Sequence, residues 1–375
     1  MRILINASNL RAGGGLQVAD SIVHELKNHP EHTYVAVVSS KLTRACSDAA
    51  RSGQVEVVEY DLPHSIVQAV TGRDRFLDSL VEEKRIDAVL TVFGPSRWRP
   101  RRPHLCGFAR PQVVIPESPY WREIKGVQRA KSNATKTMTK RLFAVSADSL
   151  WTENSFISSR VKELWPKKRV FTVTNNYNQV FDSPAQWDNS VALPPFDGLT
   201  LLTVSAHYPH KNLDIIRPCI EWLAEHQPQL RFRFVLTLHE DKFPLRTALE
   251  REHVVLVGPV DIRQVPHLYE QSGVMFLPTL LECFSASYTE AMRMRVPILT
   301  TDLGFAHSIC AEAACYFEPV SPSDLGRKIA RLAADKAYCQ QLTEAGTHRL
   351  PCFDTFAERA QKLIEITASL AEKKH

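Results

Sequence analysis

Eight cysteines are scattered through this 375-residue chain, and no two of them form a C-x-x-C pair. That spacing gives neither a zinc ribbon nor a disulfide framework, so reduced thiols, the cytosolic default, are expected. No apolar run approaches the length of about 18 residues that suggests a membrane span. The opening residues, Met1-Arg2-Ile3-Leu4-Ile5-Asn6, lack the pattern of a secretory signal and read directly as a strand. No internal repeat or low-complexity tract is present. What remains is ordinary for a globular protein, with 44% hydrophobic and 23% charged residues. The length suits two domains, each able to bury its own core.

Charge is low overall but unevenly placed. The formal net charge is +5, while residues 97–141 hold 12 Lys or Arg against 2 Glu. Arg97-Trp98-Arg99-Pro100-Arg101-Arg102-Pro103 is too rich in proline for a helix, and 120–141 mixes aromatics with Lys and Arg. Such a stretch suits an anionic membrane surface or a phosphate-bearing lipid acceptor, or it is simply a solvated basic face. A nucleic-acid partner has no supporting fold motif.

In chain order, strands are expected at 3–7, 34–40, 55–60, 88–93, 142–146 and 170–174, with a helix near 76–83. A proline-rich linker is expected at 179–198. Further strands follow at 199–204, 232–238, 254–257, 274–277 and 298–300, and a final amphipathic helix spans 356–370. Strands alternating with helices imply parallel sheets covered on both faces.

Asn9 to Gly15 is a glycine-rich loop between the first strand and a helix begun at Leu16. Such a loop lets backbone approach a phosphate or sugar closely. It is not a dinucleotide fingerprint, because Val18 stands where the third glycine of G-x-G-x-x-G belongs and the next strand offers no acid for a ribose. No Gly-Lys-Ser/Thr follows, so it is not a P-loop either.

The most informative stretch is Gly273 to Thr300. It reads strand, loop, helix, strand, with Glu282 just before the helix, Glu290 inside it, and Ser285 or Ser287 as cap. Unpaired N–H groups near Phe284 to Ser287 make an anion site. A carboxylate beside a phosphate would be repelled, so Glu282 and Glu290 are better read as acceptors for hydroxyls on either side of it. A nucleotide sugar has that layout.

This segment resembles the donor-site motif of retaining glycosyltransferases of the GT-B fold, and most closely family 4. The motif there is E-x-F-G-x-x-x-x-E; here it is Glu282-Cys283-Phe284-Ser285 through Glu290, with Ser285 in place of glycine. The resemblance implies an α/β chain of two Rossmann-like domains with parallel sheets facing a cleft. These would be an acceptor-binding domain over 1–180, a nucleotide-sugar domain over 195–355, and a helix at 356–375 crossing back to the first domain. It further implies that Glu290 holds the nucleotide ribose, that Glu282 contacts the donor sugar, and that N–H groups at Phe284 and Ser285 meet phosphate or sugar. Gly14 and Gly15 would face the donor diphosphate. Lys211 and Asn212 match part of the family's cationic corner, with His207 near its arginine. Gly258 and Val260 would border the base. The family's first-domain histidine falls near Ala109, leaving His104 or Arg110 as catalytic substitutes, and Glu117 is a further acid.

The implied reaction moves a sugar from a UDP- or GDP-linked donor to a glycan or lipid-linked acceptor in envelope polysaccharide synthesis, with the anomeric configuration retained. No cofactor is implied. No D-x-D occurs in the chain, which disfavours a metal-bound diphosphate. A cytoplasmic enzyme, peripheral on the inner membrane face through 97–141, is expected. A sugar-nucleotide epimerase and a non-catalytic sugar- or nucleotide-binding module are the alternatives.

Overall fold

A computed structural model describes residues 1–46, 53–63 and 65–372; the last three residues of the expected 356–375 helix lie outside the described residues. The chain divides into two compact units. Unit 1 comprises Met1–Pro116, Gly126–Asn175 and Asp354–His375, and unit 2 comprises Glu117–Lys125 and Asn176–Phe353.

Unit 1 is built on a seven-stranded sheet. Its strands are β1 (Arg2–Ala7), β2 (Thr33–Val38), β3 (Val55–Glu59), β4 (Ala88–Thr91), β5 (His104–Gly107), β6 (Ser149–Thr152) and β7 (Arg169–Thr172). The order is β3-β2-β1-β4-β5-β6-β7, and every ladder is parallel. Successive side chains on a strand point to opposite faces, and both faces are covered here. Ile3 and Ile5 pack with Ala19, Ile22 and Val23 of the Gly14–Glu25 helix and with Leu363 and Ile364 of the Phe356–Glu372 helix. Leu4, between them, packs on the other face with Leu77, Leu80 and Val81 of the Arg75–Glu83 helix.

The strand expected at 142–146 is instead the end of a 21-residue helix, Gly126–Ser146. Five-residue apolar runs fit a buried helix end as well as a strand. The preceding turns give no helical stripe because they are almost wholly exposed; only Leu142, Phe143 and Ser146 of this helix are buried. β5 and β6 were not expected as strands. Each is four residues long and buries a polar residue, His104 or Ser149, among apolar ones.

Unit 2 has a six-stranded parallel sheet of β8 (Leu199–Thr203), β9 (Phe232–Leu236), β10 (Val254–Leu256), β11 (Val274–Leu277), β12 (Ile298–Thr301) and β13 (Ala314–Phe317). The order is β10-β9-β8-β11-β12-β13. Residues 179–198 are more than a spacer. Leu193 N–H donates to Gln271 Oε1 at 2.7 Å, and Gln264 Nε2 donates to Asp188 Oδ2 at 3.2 Å, so the stretch is tied into unit 2.

In each sheet the strand order reverses between its first and fourth strands, β1/β4 and β8/β11. Ligands of open α/β sheets bind outside the carboxyl ends of the strands at such a switch point.

Candidate functional site

The site in unit 2 starts from the two central strands. β11 is buried on both faces, with Val274 to Leu277 at most 1% exposed. The chain that leaves it is pinned at nearly every peptide. Leu280 N–H donates to His210 O at 2.7 Å, and Thr279 Oγ1 donates to the same carbonyl at 3.2 Å. Thr301 Oγ1 donates to Thr279 O at 2.7 Å. Ser118 Oγ donates to Leu280 O at 2.7 Å. Leu280 and Leu281 are fully buried. The loop therefore arrives at Glu282 in a fixed position.

β8 delivers the other half through Pro209–Lys211, a single 3₁₀ turn. Lys211 Nζ is paired with Glu282 Oε1, and the two side chains are only 14% and 12% exposed. Thr279 Oγ1 lies 3.3 Å from the same carboxylate oxygen. The sequence had assigned these two residues separate tasks; the fold makes them one ion pair, held between the ends of β8 and β11. His210 sits alongside. Burial lowers its pKa, Glu282 opposes that, and Lys211 adds to it.

Asn212 follows with a left-handed backbone, φ 53°. Asn tolerates this region better than other non-glycine residues. Its Nδ2 is buried and has no hydrogen-bond partner among the described residues. A buried donor without a partner costs about 1–3 kcal/mol, which a ligand acceptor would recover. His207 instead points its Nε2 to Asp214, at 3.8 Å.

The helix Ala286–Met294 begins just after Glu282. Ser285 occupies the cap position with an extended backbone but makes no side-chain cap bond, and no acid lies in the first turn. The first N–H groups are thus left for an anion. Phe284 meets Phe353 edge-on at 6.0 Å. One turn further, Glu290 is 6% exposed and accepts from Tyr269 OH at 3.1 Å. Burial pushes its pKa from 4.5 up to about 7, against the opposing pull of the Tyr269 hydrogen bond. Tyr269, Thr279, His210 and Ser118 were not singled out in the sequence; none of them belongs to a spaced motif.

Gly258, with φ 75°, borders a cavity of about 440 Å³ at the carboxyl ends of β9 and β10, shared with His239 and Glu240. Val260 does not line it. Glu117 opens the short segment Glu117–Lys125 of unit 2.

In unit 1, Gly14 and Gly15 follow β1 and Arg110 follows β5, all at carboxyl ends of strands. Nothing within 4 Å would meet a Cβ on Gly14. His104 requires a correction. It opens β5 at the opposite edge of the sheet and is 1% exposed. Its Nδ1–H donates to Ser146 O at 2.6 Å, which leaves Nε2 to accept from Thr91 Oγ1 at 2.8 Å. Burial lowers its pKa to about 4. His104 is a neutral core histidine joining β5 to the end of the 126–146 helix, and it has no access to a reacting group.

Among the described residues, no group of three or more His, Cys, Asp or Glu is arranged to hold a metal ion, and no helix is long and apolar enough to cross a membrane.

No curated protein matches the chain by sequence. Solved structures match along its whole length. Sucrose-phosphate synthase from Thermosynechococcus elongatus superposes with a TM-score of 0.71 at 14% identity, covering 99% of each chain. Anabaena Alr3699/HepE, determined in complex with UDP and glucose, gives 0.64 at 12%, covering 98% of this chain and 99% of its own. WaaG, a glycosyltransferase involved in lipopolysaccharide biosynthesis, gives 0.66 at 16%, covering 98% and 100%. At such identities the likeness is one of fold, and that fold is the GT-B arrangement of two Rossmann-like domains. The sequence itself matches one family description, "Glycosyl transferases group 1", over residues 190–349. The stretch that carries Lys211, Glu282 and Glu290 is therefore similar to the glycosyl transferases of group 1, and it is set in a chain of GT-B fold.

Proposed function

We propose that the protein is a retaining glycosyltransferase. It moves a sugar from a UDP- or GDP-linked donor to a hydroxyl of a glycan or lipid-linked glycan. The carrying observation is the Lys211–Glu282 pair at the ends of β8 and β11, inside the matched domain and directly ahead of an uncapped helix start.

On this reading the donor diphosphate lies at the start of the Ala286–Met294 helix. As the sugar–diphosphate bond breaks, negative charge builds on the leaving oxygens. Lys211 and the helix N–H groups stabilise that charge electrostatically, the term that usually dominates such catalysis. Glu282 holds the Lys211 ammonium in place beforehand and accepts a sugar hydroxyl. The orphaned Asn212 Nδ2 supplies a donor for an oxygen of the ligand. Glu290 accepts from the ribose hydroxyls, and Gly258 borders the base. The acceptor oxygen bonds the sugar carbon, and its proton leaves with the released diphosphate.

A role in envelope polysaccharide assembly accords with the fold shared with WaaG. It also accords with the exposed Gly126–Ser146 helix, which carries Arg129, Lys131, Lys136, Lys140 and Arg141 and no acid. Each such cation adds about 1 kcal/mol of attraction near an anionic membrane surface.

A thermal-shift panel of UDP, GDP, ADP, CMP and dTDP with their sugars tests the donor class. The correct nucleotide at a hundredfold excess over its Kd stabilises the native protein by about 2.7 kcal/mol, and Glu290→Ala loses most of that. Product analysis with and without acceptor then separates transfer from epimerisation. Equal shifts in the native protein and Glu290→Ala, or no shift from any donor, would sink the assignment.

A further inference from the structure

β5, β6 and β7 lie side by side in the unit 1 sheet, and the residues leading into them gather at its amino-terminal edge. Gly14, Gly15 and Arg110 lie at the other edge. These lead-in residues enclose two cavities, of about 560 and 400 Å³. Arg99 and Asp148 line both, so the cavities adjoin there. The smaller adds Arg73 and Arg101, and the larger adds Lys167 and Lys168.

Five cationic side chains and one carboxylate, Asp148, thus line the joined cavities, a formal balance of +4 (5 − 1) that favours an anion in spite of the carboxylate. That carboxylate accepts from the backbone N–H of His104 at 3.1 Å. Arg73 is matched by Asp78 at 3.4 Å, and Lys168 donates to Ala147 O. The side chains of Arg99, Arg101 and Lys167 have no hydrogen bond or ion pair among the described residues. Arg99 is also fixed at its backbone. Gly72, with φ 68°, ends the Ile66–Thr71 helix and accepts from Arg99 N–H at 2.8 Å. A Cβ on Gly72 would come within 3.0 Å of Arg99 Cβ, so this approach depends on glycine. The larger cavity has an apolar side made by Val145, Leu164 and Trp165.

We propose that the joined cavities bind a phosphate ester with an apolar body. Arg99 and Arg101 take the phosphate, and Trp165 and Leu164 take the hydrocarbon. Guanidinium forks match phosphate oxygens two at a time, and a concave site with an apolar wall and a few convergent charges suits such a ligand. A soluble phosphate ester and a phospholipid headgroup share this chemistry. The site belongs to unit 1 and the Glu282 loop to unit 2, and the proposal stands whether or not the transfer reaction does.

Octyl phosphate is the probe. Titration calorimetry on the full chain is expected to show saturable binding, tighter than for inorganic phosphate and absent for octyl glucoside. Arg99→Ala with Arg101→Ala weakens it about tenfold or more. Both side chains are exposed, so the variant is expected to keep the native melting temperature. Trp165→Phe removes the fluorescence change that octyl phosphate causes. Flotation with phosphatidylcholine vesicles, with and without phosphatidic acid, separates the sources. Loss of flotation in the double variant identifies a lipid headgroup; unchanged flotation beside lost octyl phosphate binding identifies a soluble ester. No binding at millimolar octyl phosphate, or equal binding by the double variant, overturns the proposal.

Discussion

Two buried titratable groups show how differently the same environment acts on a site residue and a core residue. Glu290 has its pKa raised from 4.5 to about 7 by burial, so the folded state holds its proton more tightly than the unfolded chain. Stability from this group is full below about pH 4.5 and is lost as pH rises through about 7. Glu290→Gln removes the titration. Its stability relative to wild type is expected to rise by about 3 kcal/mol between pH 4 and pH 8, read by urea denaturation at each pH. A gap independent of pH would mean that folding does not shift the pKa of this carboxyl. His104 has the opposite sign. Its pKa falls from 6.5 to about 4, so its contribution is present above pH 6.5 and lost as pH falls through 4. His104→Ala leaves Ser146 O and Thr91 Oγ1 without the ring and opens a cavity, which costs about 2–4 kcal/mol in denaturant midpoints. Donor binding by the folded variant is expected to be unchanged.

The elements of unit 2 were the more legible part of the chain. Val274 to Leu277, bounded by Gly273 and Pro278, has the composition of a buried strand, and Glu282 to Glu290 has a spacing that a known motif shares. The helix Gly126–Ser146 was not legible. It buries almost nothing over its first four turns, so no apolar stripe marks it, while Leu142 and Phe143 at its end imitate a strand. His104 was misread for a related reason: a histidine's type is visible in sequence, but its burial against Thr91 and Ser146 is not. Nor could spacing show that Lys211 reaches Glu282 across 71 residues. The loop that leads to Glu282 depends on one such distant contact, Ser118 Oγ to Leu280 O. Ser118→Ala removes it and leaves a buried carbonyl unpaired. On the proposed reading, looser placement of Glu282 is expected to lower kcat about tenfold or more with little change in nucleotide affinity, because Glu290, the proposed ribose acceptor, sits on the Ala286–Met294 helix. A change in nucleotide affinity alone would contradict that role.

At the scale of the whole molecule, the chain passes between its two units four times, and neither unit is a continuous piece of sequence. Unit 1 includes the Phe356–Glu372 helix, whose Leu363 and Ile364 complete its core. Unit 2 includes Glu117–Lys125, with Tyr120 and Trp121 buried. A fragment of 176–353 expressed alone is therefore expected to melt lower than the same fragment supplied with a 115–126 peptide; identical melting curves would show the segment to be a passenger. That segment has one more consequence. Its residues directly precede the basic Gly126–Ser146 helix in the chain, and Ser118 grips the carbonyl two residues before Glu282. The loop that carries Glu282 is thus supported by a nine-residue segment whose neighbours in the chain, on both sides, belong to unit 1, so two covalent joins end on the support of a single loop.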